Sequence, residues 1–185
     1  ILIKNSPILD ISKTIKELNF VKEIHIVALE NEVKELLFVL EENYKKSIEI
    51  KTVNYHKNKI QLFDFQYIKS KTSNYSKPKK YIYEPNSAIL KSGGFHEISN
   101  QFHLEKLHPH SHLYTSDFLI EFPGRTFLLE NSCPYNIKEI KNYLKENKAN
   151  ITTRNFPETV SQIRKKTKIK DGGSQYLFFT TLKNE

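Results

Sequence analysis

Residues 69–80 read Lys-Ser-Lys-Thr-Ser-Asn-Tyr-Ser-Lys-Pro-Lys-Lys, a basic, polar stretch without apolar periodicity. A chain interrupted in this way does not build one continuous core from end to end, and the stretch is expected to be a linker. The charge balance changes at the same place. Residues 1 to 70 carry 11 Lys and Arg against 10 Asp and Glu, whereas residues 71 to 185 carry 18 against 11. Nearly all of the net charge of +8 therefore belongs to the second half. A field of that sign favours polyanions, with nucleic acid foremost, and its plain alternative is a Lys-rich soluble surface.

With 38% hydrophobic residues, including 12 Phe and 10 Tyr, the chain has enough apolar material to fold. At 185 residues it is expected to form two small units rather than one large one. No run of about 18 apolar residues is present and no export signal opens the chain, so neither membrane insertion nor secretion is expected. Cys133 is the single cysteine, which excludes an internal disulfide and a cysteine pair for zinc. A cytoplasmic location is the expectation. The Ile1-Leu2-Ile3 opening and the lack of any Met lead to the reading of a piece of a longer protein.

In the first half, Ile1 to Lys4 is predicted as a strand that Pro7 ends. Asp10 or Ser12 is placed to cap a helix through Ile11, Ile15 and Leu18, and Glu23 to Leu29 returns as a strand. Strand, helix, strand predicts a βαβ unit in a parallel sheet that needs further members. Three more strands follow at Leu36 to Leu40, Ile48 to Tyr55 and Ile60 to Phe65, with His56 to Lys59 as a hairpin turn. Asn31 to Leu40 equally fits one face of a helix.

In the second half, Tyr81 to Tyr83 is predicted as a strand, Pro85 as the first turn of a helix that Gly93-Gly94 stops, and Phe95 to Phe102 as a second helix. His112 to Thr115, Phe118 to Phe122 and Thr126 to Leu129 read as extended. Asn136 caps an amphipathic helix through Ile137, Ile140 and Leu144, and Ile151 to Phe156 is a strand. Glu158 to Lys168 is a helix, and Gln175 to Leu182 the last strand. The order from 126 to 182 predicts a small α+β layer.

The best candidate for function is the basic helix and its exit. Arg164, Lys165, Lys166, Lys168 and Lys170 are placed to neutralise phosphates, with Arg125 and Arg154 joining if the fold brings them to one face. A solvated helix face is the alternative. Lys4, Asn5, Ser6 and Pro7 leave the C-terminal end of a strand, the side on which parallel sheets bind ligands, and border a possible substrate pocket. His103, His108, His110 and His112 have spacing that invites a metal, but without cysteine support a polar loop is the expectation. Cys133 is expected to be a packed thiol.

Several separated motifs carry a family resemblance. Lys4-Asn5-Ser6-Pro7-Ile8-Leu9-Asp10-Ile11 and Asn31 to Leu37 resemble the final third of a bacterial class I SAM-dependent methyltransferase domain. Tyr83 to Lys91, Leu107-His108, His112 to Asp117 and Phe122-Pro123-Gly124-Arg125 resemble the ferredoxin-like insert of those proteins. Ile163 to Lys166, Asp171-Gly172-Gly173 and Tyr176-Leu177-Phe178 resemble their THUMP-like end domain. The resemblance implies an α+β fold: the last strands of a Rossmann-like methyltransferase sheet, then a small ferredoxin-like and THUMP-like sandwich. Its divisions are residues 1–68, a linker at 69–80, a ferredoxin-like segment at 81–124 and a THUMP-like domain at 125–185.

It also implies S-adenosylmethionine as cofactor of the intact parent and a structured RNA, tRNA or rRNA, as partner. The Gly-rich loop, the acidic ribose partner and the catalytic loop of such enzymes are missing from these 185 residues. No catalytic, cofactor or metal residue is therefore assigned here, and a stand-alone nucleic-acid or protein interaction module is the rival reading.

Overall fold

The computed structural model describes residues 1–67 and 72–183, and the chain divides into two compact units. The first comprises Ile1–Ser73, Tyr83–Leu104 and Ile120–Thr126; the second comprises Asn74–Ile82, Glu105–Leu119 and Phe127–Glu185.

The first unit is built on a five-stranded sheet of β1 (Leu2–Asn5), β2 (Val21–Leu29), β3 (Glu32–Leu40), β4 (Glu49–His56) and β5 (Lys59–Gln66), in the order β1-β3-β2-β4-β5. Glu30 and Asn31 both take positive φ, 49° and 62°, the two-residue hairpin geometry that matches strand twist. That turn makes β2 and β3 antiparallel neighbours, which settles Asn31 to Leu40 as a strand rather than a helix. Between β1 and β2 runs α1 (Ile11–Glu17), and Asp10 caps it by accepting from the Lys13 amide at 2.8 Å.

One sheet face carries Ile24, Ile26, Leu36, Phe38 and Ile50, all fully buried. Each contributes about 1.5–3 kcal/mol through its burial. The helix α2 (Ser87–Ser92) packs on β2, β3 and β4 and brings in Ala88 and Ile89. Its N-terminus is fixed by a chain of amides. Asn86 accepts from the Ile89 amide, Gln61 Oε1 accepts from both Asn86 and Asn54, Asn54 accepts from the Asn31 amide, and Asn31 accepts from the Ser87 amide. A second helix, α3 (Phe95–Gln101), follows Gly93, which sits at φ 75°, a left-handed helix end that glycine adopts without a Cβ clash.

In the second unit β10 (Asn150–Arg154) and β11 (Tyr176–Thr180) pair in parallel, joined by α5 (Val160–Thr167). Their core is Ile140, Ala149, Ile151, Ile163, Ile169 and Phe179, with α4 (Ile137–Asn142) supplying Ile140. Thr159 and Gln162 form a reciprocal capping box at the start of α5. A four-stranded sheet, ordered β7-β8-β6-β9, gives this unit β7 (Glu105–Lys106), β8 (Tyr114–Ser116), Tyr81 and Ile82 of β6 (Tyr81–Pro85), and Phe127 and Leu128 of β9 (Gly124–Leu128). Ile82, Leu107 and Leu113 make its second small core.

Several sequence expectations change. The strands β1 and β2 do not pair with each other, because antiparallel β3 lies between them. The parallel neighbours of this sheet are β2 and β4. Pro85 ends β6 instead of opening a helix, since Asn86 takes the capping position. Phe118 to Phe122 forms no strand. Of the expected linker at 69–80, residues 69–71 lie outside the described residues, and the rest is tied down by hydrogen bonds. The Lys106 amide donates to Asn74 O at 2.8 Å, the Ser76 amide to Lys106 O at 3.1 Å, and the Lys79 amide to Thr115 Oγ1 at 2.8 Å. Contacts also divide the 81–124 segment, grouping Tyr83–Leu104 and Ile120–Thr126 with the first unit and Glu105–Leu119 with the second.

Candidate nucleic-acid interface

The helix α5 buries Ile163 and Thr167 and leaves its other side to solvent, so its basic residues fall on different environments. Lys165, Lys168 and Lys170 are exposed. None of the three has a carboxylate within ion-pair distance among the described residues. Lys166 is exposed as well but is held by Glu158 at 2.8 Å. Arg164 is turned inward and does structural work. Its guanidinium donates to Ile169 O at 3.1 Å and Ala149 O at 3.2 Å, and it pairs with Asp171. It thereby ties the helix exit to the residue that precedes β10.

The remaining basic candidates divide in the same way. Arg154 is half-buried and donates to Thr153 O at 2.9 Å. Arg125 lies in the first unit, where Nε and Nη2 both donate to the buried carboxylate of Glu84, Nε at 2.9 Å. The cluster around α5 thus consists of Lys165, Lys168 and Lys170, with Lys166 neutralised and Arg164 as an anchor.

Lys4, Asn5, Ser6 and Pro7 lie where β1 hands over to α1. Lys4 pairs with Glu35 at 2.5 Å, Asn5 is registered against Leu36, and Ser6 closes a turn by accepting from the Leu9 amide at 3.1 Å. Cys133 packs against the core of the second unit, and burial pushes its thiol up. No group of three His, Cys, Asp or Glu able to hold a metal ion occurs among the described residues.

The histidine-rich turn of the second unit holds a residue that sequence reasoning missed. Lys106 is only 1% exposed, and its Nζ donates to Pro109 O at 3.0 Å. Burial lowers its pKa to about 8. His112, at φ 52°, is brought down to about 4, first by burial and then by Lys106, His110 and Arg154. Lysine next to leucine in a two-residue strand gives no periodicity from which burial is readable.

Both groups have folded pKa values below their unfolded ones, so their contribution is complete above the unfolded value and lost as pH falls through the folded one. For His112 the window runs from its ordinary 6.5 down to about 4, and for Lys106 from 10.5 down to about 8. Each spans on the order of 3 kcal/mol. Urea denaturation is expected to show stability falling between pH 6.5 and 4, with the slope flattened in His112→Asn, and rising between pH 8 and 10.5, with the rise absent in Lys106→Met. Unchanged slopes in the variants contradict the assignment.

Among the described residues no glycine lies where a strand enters a helix. Glycine lets backbone amides approach a cofactor where a strand enters a helix. Here Gly93 and Gly94 lie between α2 and α3, Gly124 opens β9, and Gly172 and Gly173 lie in the turn before β11. The entry from β1 to α1 is Ser6-Pro7-Ile8-Leu9-Asp10.

Among the described residues no helix is long and apolar enough to cross a membrane. No curated protein matches the chain. The crystal structure of a "putative methyltransferase from Porphyromonas gingivalis W83" matches over 98% of this chain, with 37% identity and a TM-score of 0.90. The chain spans 48% of the length of that protein. Residues 81–123 match the family model of a ferredoxin-like domain, and residues 124–185 match that of a THUMP domain-like family. The chain is thus a mixed α+β protein with a ferredoxin-like domain followed by a THUMP-like domain, and it shares its fold with about half of a methyltransferase-like protein.

Proposed function

We propose that this chain is the substrate-holding C-terminal part of a SAM-dependent RNA methyltransferase. The observation that carries the reading is the exposed set Lys165, Lys168 and Lys170 at and beyond the C-terminal turn of α5, inside the region matched to the THUMP-like family. Cations with no acidic partner attract a phosphate backbone without first breaking an ion pair. The likeness to the Porphyromonas protein supports the methyltransferase half of the proposal. The mixed sheet supports it too. Two co-directional strands, β1 and β2, are linked by a helix with an antiparallel strand between them, an arrangement suited to one margin of a larger parallel sheet.

The role of these residues is to bind and orient. Methyl transfer needs the donor, whose chemistry is the supply of an activated methyl group, and no residue here is assigned to it. Calorimetry of this chain with S-adenosylmethionine is expected to give no binding heat, and a micromolar complex contradicts the proposal.

The RNA half is tested by fluorescence anisotropy with a structured RNA across a salt series. Affinity is expected to fall as salt rises, with a log–log slope near −2 to −3, as for about three phosphates neutralised at about 0.7–0.9 each. The triple variant Lys165→Glu, Lys168→Glu, Lys170→Glu is expected to lose most of that slope and at least tenfold in affinity. Binding unchanged in the variant overturns the assignment. Arg164 is left intact because its loss loosens the helix exit.

A further inference from the structure

The turn between β7 and β8 is organised around the ring nitrogen Nδ1 of His108. The backbone amide of His110 donates to His108 Nδ1 at 3.1 Å, and the side-chain amide of Asn155 approaches the same nitrogen at 3.0 Å. A backbone N–H is always a donor, so Nδ1 is the unprotonated nitrogen and the ring proton sits on Nε2. His108 is thereby fixed as a neutral donor. Burial and the nearby His110, Lys106 and Lys183 lower its pKa and hold it in that form.

The surroundings of this donor are cationic. His110 is exposed, with its ring 5.5 Å from that of His108. Lys106 lies buried beneath the turn and pins it through Pro109 O. The chain end is laid alongside, since the Lys183 amide donates to Leu107 O at 2.9 Å and Thr181 Oγ1 donates to Asn155 O at 2.7 Å. The Lys183 ammonium stands 4.1 Å above the Tyr75 ring. Glu105 of β7 and Asp117, which follows β8, are both engaged by Lys79.

We propose that His108, His110, Asn155 and Lys183, over the buried charge of Lys106, form a binding site for a phosphate group. Fixed donors surrounded by positive charge suit an oxyanion, while a metal ion needs lone pairs, and the lone pair of His108 Nδ1 is already taken. The phosphate is either free or part of a nucleic-acid backbone. The site is separate from the lysines of α5 and stands whether or not those bind RNA.

The test is a titration of the histidine side-chain ¹⁵N signals with inorganic phosphate and, separately, with a hairpin RNA, against sodium chloride at matched ionic strength. The His108 and His110 signals are expected to shift with phosphate and not with chloride. Phosphate affinity is expected to fall about tenfold in Lys183→Ala and again in Asn155→Ala, both exposed positions, and to be unaffected in the α5 triple variant. Shifts with free phosphate but not with RNA identify a small-phosphate site and sink only the RNA reading. RNA binding that leaves both histidines unmoved, with no phosphate shift, overturns this site and leaves the α5 interface standing.

Discussion

Gly124→Ala is expected to destabilise the first unit by about 3 kcal/mol or more, the largest effect of any single methyl in the chain. A Cβ at this position falls 2.1 Å from Glu84 O and 2.9 Å from Pro85 Cα, both backbone atoms that cannot swing aside. The two segments are already tied there by the Asn86 amide donating to Pro123 O at 3.1 Å. Relief of the clash therefore means moving β9 away from β6. The neighbouring aromatic cluster then opens, because Tyr83 and Phe122 meet as tilted rings at 5.1 Å and Phe122 meets Phe102 edge-on at 5.5 Å. Denaturant midpoints measure the loss directly. A variant as stable as the parent contradicts the close approach. By contrast Gly172→Ala meets nothing within 4 Å and suffers only from its φ of 95°.

Arg125→Leu is expected to cost about 3 kcal/mol, and the double variant Glu84→Leu, Arg125→Leu to recover most of it. Glu84 is 3% exposed, and the Arg125 guanidinium donates to it through two nitrogens. Removing one partner of a buried pair leaves a carboxylate stripped of its counter-charge, which costs more than the intact pair contributes. The expectation stays at the lower end of that range because the Arg125 side chain is 44% exposed and water screens it. A denaturant series over both singles and the double decides the matter. If the double is no better than the single, the coupling is absent. For Arg125 to engage a phosphate it must first give up its pairing with Glu84.

These results show what could be read from residues alone. The strands β2, β4 and β5 were legible because Ile24, Ile26, Ile50, Phe63 and Phe65 alternate with polar residues, and the caps at Asp10 and Asn136 follow from side-chain chemistry, whereas Thr159 was not picked out as the cap of α5. The insertion of β3 between β1 and β2 was not legible. A strand's neighbours are fixed by the left-handed turn at Glu30-Asn31 and by long-range pairing, which local periodicity does not record.

The basic residues teach the same lesson. The sequence singles out the five cations of the basic helix and its exit together with Arg125 and Arg154, but whether each faces solvent, a carbonyl or a carboxylate is a tertiary matter. Lys165, Lys168 and Lys170 emerge exposed. Arg164 is spent on Ile169 O and Ala149 O, Arg125 on Glu84, and Lys166 on Glu158. Lys106 was passed over because a short strand between loops carries no pattern that marks a lysine as buried.

The claim that the second unit holds RNA is tested most directly by ultraviolet crosslinking of the chain to a structured RNA, with adducts mapped by mass spectrometry. Crosslinks are predicted to concentrate between residues 160 and 183, around Lys165, Lys168 and Lys170. Adducts confined to the first unit, or none at low salt, contradict the account.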